Sequence, residues 1–171
     1  MHRLLQFSLC LLLLAALLAL TFQQQTSSAK TTSLHIGVRN AHAMAYDSDR
    51  KRVVLFGGAD AARVCSETWE WDGKRWTRVT TNGPGPRTFP AMTYDSIRRR
   101  VVMFGGNQVL FGRNLEDNKY LDDTWEYDGR NWMQIKVAGP PPRSEAVMAF
   151  DKARSRSVLF GGHSRSDKGR N

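Results

Sequence analysis

Cysteine is scarce in this sequence. Cys10 and Cys65 are the two cysteines of the chain, and they cannot form a disulfide framework if Cys10 lies in a segment that is removed. Export would leave Cys65 as a lone thiol in an oxidising compartment. We therefore predict that Cys65 is buried and inert.

The short motifs of common catalytic and cofactor sites are also absent. The sequence contains no G-x-S-x-G, H-E-x-x-H, P-loop or C-x-x-C motif. The histidines beyond the N-terminal apolar segment, His35, His42 and His163, are not spaced as metal ligands. Acidic residues within 116–123 could supply oxygen ligands to calcium, but their spacing fits no known calcium loop. We predict no catalytic residue, no metal and no cofactor.

Acidic residues are few relative to basic ones. The chain has 16 Asp and Glu against 25 Lys and Arg, which gives a formal charge of +9. A basic balance favours solubility and weak attraction to polyanions. The basic residues within 50–52, 98–100 and 152–156 could form a polyanion-binding rim. We favour solvated turn tips that protect strand edges, and we predict no specific nucleic-acid partner.

A targeting segment is predicted at the N-terminus. The short basic head Met1–Arg3 precedes an almost wholly apolar run of 17 residues from Leu4 to Leu20. Small residues near position 29 suit cleavage before Lys30, which predicts a signal peptide at 1–29 and a secreted or periplasmic protein. The alternative is an uncleaved membrane anchor, because the apolar run reaches the lower limit for spanning a bilayer. Contact with a membrane is expected only in that case.

A repeated segment organises the rest of the chain. The run Val53–Gly58 (VVLFGG) recurs as Val101–Gly106 (VVMFGG) and as Ser157–Gly162 (SVLFGG). Each run predicts a strand covered on both faces, and the two glycines after it allow another backbone to come close. The copies start 48 and then 56 residues apart, at Arg39, Arg87 and Arg143. Three copies in register indicate a repeat protein.

Each copy predicts short strands in an antiparallel meander. The first strand alternates Met44 and Tyr46 with small alanines, so both faces are apolar and we expect each sheet to be covered on both sides. The segments TWEWDG at 68–73 and TWEYDG at 124–129 supply a third strand and an Asp-Gly hairpin into a fourth. Their aromatic side chains could stack on sugar rings. We favour packing between sheets, because they recur at the same position of the repeat.

This pattern resembles the kelch-repeat family of β-propellers, which includes enzymes similar to galactose oxidase. The resemblance rests on Phe56-Gly57-Gly58, on the aromatic pair Trp71 and Trp76, and on the arginines that begin each copy. It covers roughly residues 38–171 and implies an all-β fold of four-stranded propeller blades, at about 39–82, 83–138 and 139–162. The copper oxidases of this family need a tyrosine cross-linked to cysteine and histidine ligands. No matching set occurs here, so no catalytic residue is carried over.

The third copy stops after its glycine pair. Two full blades and half a third cannot close a ring, because propellers need about four to eight blades. We therefore expect the chain to be a piece of a longer propeller, with residues 30–37 as an N-terminal segment. The alternative is a chain that completes itself with partner chains. Open sheet faces invite association.

The best functional clue is the insertion at Asn107–Asp122, which is eight residues longer than its counterpart in the first copy. In an up-and-down sheet this loop lies at the same end as the Gly-Pro loops between copies. Loops held on a rigid scaffold often carry function, although an ordinary surface loop is the alternative. The candidate ligand-binding residues are Arg87, Phe111, Arg113, Lys119, Tyr120 and Arg143. For the two copy-starting arginines, a structural role between blades is the competing interpretation.

Together these features predict an exported kelch-repeat module with a binding or scaffold role and a protein or carbohydrate ligand. The alternative is the N-terminal part of a secreted carbohydrate-active or oxidase propeller enzyme. In that case the catalytic residues would lie in blades beyond this chain.

Overall fold

The computed structural model describes residues 36–79, 82–109 and 119–164. They belong to one compact unit that begins at Ile36. The predicted signal peptide at 1–29, most of the segment 30–37 and the centre of the predicted binding loop lie outside the described residues, and those assignments remain predictions. In the described part of the chain, no helix is long and apolar enough to cross a membrane.

The described residues form ten strands in three antiparallel sheets. Sheet one has the order β1-β2-β3-β4, sheet two has the order β5-β6-β7-β8, and sheet three contains β9 and β10. The strands are Ala43–Asp47 (β1), Arg52–Phe56 (β2), Thr68–Trp71 (β3), Trp76–Val79 (β4), Ala91–Asp95 (β5), Arg100–Phe104 (β6), Thr124–Tyr127 (β7), Trp132–Ile135 (β8), Ser144–Asp151 (β9) and Arg156–His163 (β10). The all-β class and the four-stranded blades are thus confirmed, with the third blade present as two strands.

The main hydrophobic core lies between sheets one and two. The alternation along β1 buries Ala43 and Ala45 against sheet two and turns Met44 and Tyr46 away from it. Small side chains on one sheet leave room for large ones on the next, which allows the two faces to pack closely. The other members of this core are Val54, Phe56, Met92, Tyr94, Val101, Met103, Tyr127 and Trp132.

Sheets one and three each have an apolar face that no described residue covers, contrary to the expectation that every sheet is covered on both sides. In sheet one, Met44 is 51% and Tyr46 56% exposed. In sheet three, Val147 is 67% and Phe160 77% exposed. Met92, the counterpart of Met44 in sheet two, is buried because sheet two has a neighbouring sheet on each side.

The Asp-Gly signal of the third strand produces a four-residue loop. The carboxylate of Asp72 accepts hydrogen bonds from the backbone N–H groups of Lys74 and Arg75, both at 2.9 Å. Gly73 has a φ of +94°, in the left-handed region that glycine adopts readily. Asp128 caps the equivalent loop of sheet two in the same way. These loops bring the aromatic residues of the third and fourth strands side by side.

Candidate binding surface

The predicted binding loop lies at one end of sheet two, where three chain segments extend past the regular strands. Asn107 forms isolated antiparallel bridges with Thr88 on one side and with Tyr120 on the other. Arg143 lies one segment further, because its backbone N–H donates to the carbonyl of Leu121 at 3.0 Å. The β4–β5 and β6–β7 connections therefore meet at one end of the sheet.

Arg87, the first candidate residue, is 2% exposed. Its guanidinium donates to both carboxylate oxygens of Asp123, at 2.6 and 2.9 Å, and to the carbonyl of Gly105 at 3.0 Å. Burial alone would raise the pKa of the Asp123 carboxyl, but the hydrogen bonds from Arg87 and Trp125 hold it below its ordinary value. Because its donors are occupied and it is buried, the geometry favours a structural role for Arg87 over ligand binding.

The main chain at Arg87 also reaches back to sheet one. The N–H of Gly58 donates to the Arg87 carbonyl at 2.9 Å. Gly57 allows this approach, since its φ is +69° and a Cβ there would lie 2.6 Å from the Arg87 carbonyl oxygen. Arg87 thus holds sheet one through its backbone and sheet two through its side chain. We refer to Gly57, Gly58, Arg87, Gly105 and Asp123 as the arginine clasp.

Equivalent arginines in the other copies make fewer of these contacts. Arg39 donates to the Gly57 carbonyl at 3.2 Å and lies 3.6 Å from the carboxylate of Glu67. Arg143 donates to the Gly161 carbonyl at 2.9 Å and pairs with no carboxylate of the described residues. The repeated arginine therefore binds the carbonyl of the first glycine in every copy, which explains why both residue types recur together.

The remaining candidate residues belong to the insertion. Lys119 is exposed and Tyr120 is half-buried. The Lys119 carbonyl accepts a hydrogen bond from the N–H of Gln108 at 3.3 Å, which fixes the two flanks of the loop side by side. Phe111 and Arg113 lie outside the described residues. Lys119 and Tyr120 are therefore the candidate loop residues whose position the structure gives.

The sequence interpretation of the basic turns as solvated tips was wrong for Arg50. Its guanidinium donates to Asp47 and to Glu70, both at 2.7 Å, and lies 5.6 Å over the ring of Tyr127 in sheet two. Tyr127 donates in turn to Glu70 at 3.0 Å. The signal in the sequence is the acid inside an apolar strand, since Glu70 of TWEW recurs as Glu126 of TWEY.

The first strands of all three sheets line an open concave pocket with a volume of about 470 Å³. Met44 and Tyr46 of β1 contribute to it together with Met148 and Phe150 of β9, and Lys152 lies beside them. Ser48, Thr93 and Ser96 also line it, so the surface mixes polar side chains with apolar and aromatic ones, and it repeats the first strand and the turn after it in each copy. Equivalent positions of all three copies contribute to this surface, so it is a property of the repeat and not of a single copy.

Cys65 is buried, as predicted. Burial and the nearby Glu67 carboxylate raise the pKa of its thiol, which keeps it protonated and a weak nucleophile. Among the described residues there is no group of three or more histidine, cysteine, aspartate or glutamate side chains that could hold a metal ion.

Comparisons with known proteins agree with this architecture. Residues 15–169 match the family model described as the KLHDC2/KLHL20/DRC7 Kelch-repeats domain. A solved structure titled "Structure of YjhT" aligns with a TM-score of 0.57 and 18% sequence identity, and the alignment covers 75% of this chain and 35% of that chain. At that identity the likeness shows the fold alone. No curated protein matches the chain. Because the family model spans nearly the whole chain, the protein belongs to the kelch-repeat family.

Proposed function

We propose that this protein is an exported kelch-repeat module that binds another protein and works as part of a larger propeller. Kelch repeats commonly mediate protein interactions. The described blades are too few to close a ring of about four to eight. The proposed binding surface is the end of sheet two at Gln108, Lys119 and Tyr120.

The observation that carries the proposal is a contrast between repeated and copy-specific residues. The repeated polar residues are engaged within the scaffold, as the arginine clasp and the contacts of Arg50 show. The insertion between β6 and β7 has no counterpart of its length in the first copy. Its described flanks, Gln108 and Lys119, are held together by a backbone hydrogen bond at the end of a rigid sheet. Function on such scaffolds lies mostly in loops of this kind.

The chemistry of the accessible side chains indicates the kind of partner. Lys119 offers an exposed cation, and Tyr120 beside it offers an aromatic ring with a hydroxyl group. Tyrosine is enriched at protein interfaces, where its ring and its hydroxyl both contribute. The formal charge of +9 favours a partner with an acidic surface and speeds its approach. A carbohydrate that stacks on the tyrosine ring is the competing ligand.

Replacing the loop tests the proposal. The first copy provides the template, because the Asn107–Tyr120 bridge corresponds to a bridge between Ala59 and Val64. Substituting residues 60–64 for residues 108–120 shortens the loop and keeps both bridge positions. Partners of the wild-type protein are first identified by cross-linking in the extracellular fraction. Direct binding of each purified partner, and of a glycan panel, is then compared between wild type and the loop-replaced variant.

The expected result is loss of the protein partner with unchanged circular dichroism and melting temperature. Lys119→Ala should weaken binding, whereas Arg130→Ala, a matched loss of an exposed cation in the β7–β8 loop at the other end of sheet two, should not. Unchanged affinity after loop replacement would show that the binding surface lies elsewhere. Binding to glycans and to no protein would show that the ligand is a carbohydrate.

Export is tested separately by the mass of the mature protein. In the extracellular or periplasmic fraction, we expect the intact mass of a chain whose first residue is Lys30. A protein that retains Met1 and is recovered in the membrane fraction would establish an uncleaved anchor instead.

A further inference from the structure

Two apolar sheet faces are open in the described structure. The front face is the side of sheet three that carries Val147, Val158 and Phe160, which are 67%, 53% and 77% exposed. The back face is the side of sheet one that carries Met44, Tyr46, Trp71 and Trp76. Met44 and Tyr46 are 51% and 56% exposed, and both tryptophans are half-buried. Exposed apolar side chains that lie together on one face mark an interaction surface.

The junction between sheets one and two shows what these faces bind. There the side of sheet one with Ala43 and Phe56 is buried against the side of sheet two with Met92, Tyr127 and Trp132. The rings of Phe56 and Trp132 meet edge to face, with centroids 5.3 Å apart. The indole N–H of Trp132 also donates to a threonine hydroxyl of β3 at 2.9 Å. An aromatic residue at the end of a second strand thus fits onto the tryptophan of a fourth strand.

Strand register places the open faces at the two halves of this junction. Phe160 pairs with Val147 in sheet three as Phe56 pairs with Ala43 in sheet one, so the front face repeats the sheet-one half. Trp76 pairs with Trp71 in sheet one, as Trp132 pairs with Tyr127 in sheet two. The back face therefore repeats the sheet-two half. Among the described residues, the front face repeats the first two strands of the sheet-one half, without a β3 threonine. One chain therefore carries, on opposite sides, counterparts of both rings of the Phe56–Trp132 contact.

We propose that the front face of one copy of this chain binds the back face of a second copy, with Phe160 packed on Trp76. The contact is head to tail, because the two faces differ. The structure describes three sheets in each chain, the third with two strands, so two copies place six sheets in the ring. Six lies within the range of about four to eight at which propellers close, and the pair forms a ring with two identical contacts. The inference extends the larger propeller proposed above and does not involve the partner-binding loop.

A charge-swap experiment on the full chain tests this contact. Two differently tagged copies are co-expressed, one tag is captured, and recovery of the other is measured. When both copies carry Phe160→Glu alone, or both carry Trp76→Lys alone, recovery should fall about tenfold or more, since a buried charge disrupts an apolar contact. Co-expression of a Phe160→Glu copy with a Trp76→Lys copy should restore recovery, because one of the two contacts then remains wild type and the other pairs opposite charges.

The controls separate this arrangement from others. Ile97→Glu introduces the same charge at a turn residue that is 50% exposed and belongs to neither face, and it should leave recovery unchanged. The loop-replaced variant should also pair normally, so failure of partner binding and failure of pairing are distinguishable. Light scattering of the wild type should give the mass of two chains.

Three outcomes would overturn the proposal. A wild-type mass of one chain would show that copies do not pair, and the two faces would then be left for further blades of a longer polypeptide. Pairing that survives Phe160→Glu in both copies would place the contact elsewhere. A mass well above two chains would show that the head-to-tail contact does not close.

Discussion

Removing the Arg87 side chain tests the arginine clasp most directly. Arg87→Ala would take away the partner that binds both carboxylate oxygens of Asp123, whose side chain is 17% exposed. It would also free the Gly105 carbonyl. Leaving a buried charge unpaired costs about 3–5 kcal/mol, a large part of the roughly 5–15 kcal/mol that stabilises a typical domain. We therefore expect a large loss of stability, with partial unfolding at room temperature as its upper limit.

Arg143→Ala is the matched control. Arg143 donates to the Gly161 carbonyl as Arg87 donates to that of Gly105, but it lacks the carboxylate and its hydrogen bonds are exposed. Its loss should cost no more than about 1 kcal/mol. Urea unfolding measures both, since a loss of about 3 kcal/mol shifts the midpoint by roughly 1–3 M. Adding Asp123→Asn to Arg87→Ala should recover part of the stability, because the unpaired charge is removed.

The outcome also decides between the two roles considered for Arg87. Equal effects of Arg87→Ala and Arg143→Ala on the free energy of unfolding would refute the structural argument. A variant that folds normally and loses partner affinity would assign Arg87 to ligand binding.

Urea unfolding also tests one glycine contact and two titratable side chains of the scaffold. Gly57→Ala should cost more than about 2 kcal/mol in urea unfolding, because its Cβ would meet the Arg87 carbonyl oxygen at 2.6 Å, whereas Gly73→Ala, in open space, should cost about 1 kcal/mol. Burial alone would raise the pKa of Asp47, but hydrogen bonds from Arg50 lower it below its ordinary value of 3.8. The contribution of Asp47 to the free energy of unfolding is therefore complete above pH 3.8 and is lost as the pH falls below that value. Urea midpoints of Asp47→Asn should lack that part of the acid sensitivity. Burial and the Arg39 charge lower the pKa of His42, so wild-type stability should decline as pH falls below 6.5, and His42→Gln should reduce that decline.

The strands and their order could be predicted because the repeat signal is local. The apolar run before each glycine pair and the alternation in β1 report directly on strands. The same signals could not show which faces lack a neighbour. Met44 and Met92 occupy equivalent positions, yet one is exposed and the other buried, because only the number of neighbouring sheets differs.

The polar contacts between sheets were harder to predict, because they join residues far apart in sequence. Arg50 contacts Glu70 and Tyr127, and nothing near Arg50 in the sequence indicates either partner. The acid directly before each TWE segment, Glu67 or Asp123, was a usable signal for the arginine clasp. Topology predicted that the insertion lies at one end of the sheet, and its described flanks Gln108 and Lys119 do lie there. The burial of Arg87 depends on packing that the sequence does not display.

The arginine clasp has a consequence for how such a chain can lengthen. Every copy carries the glycine pair that receives the next arginine, and also the arginine that fits the preceding pair. A tandem duplication of one 48-residue unit would therefore bring both sides of a new boundary with it, with no compensating substitution elsewhere. Because each sheet packs against its neighbours, an inserted unit would replace one boundary by two of the same kind. Duplication of a whole unit would therefore preserve the clasp, whereas a break inside a unit would separate the arginine from the carboxylate that it needs.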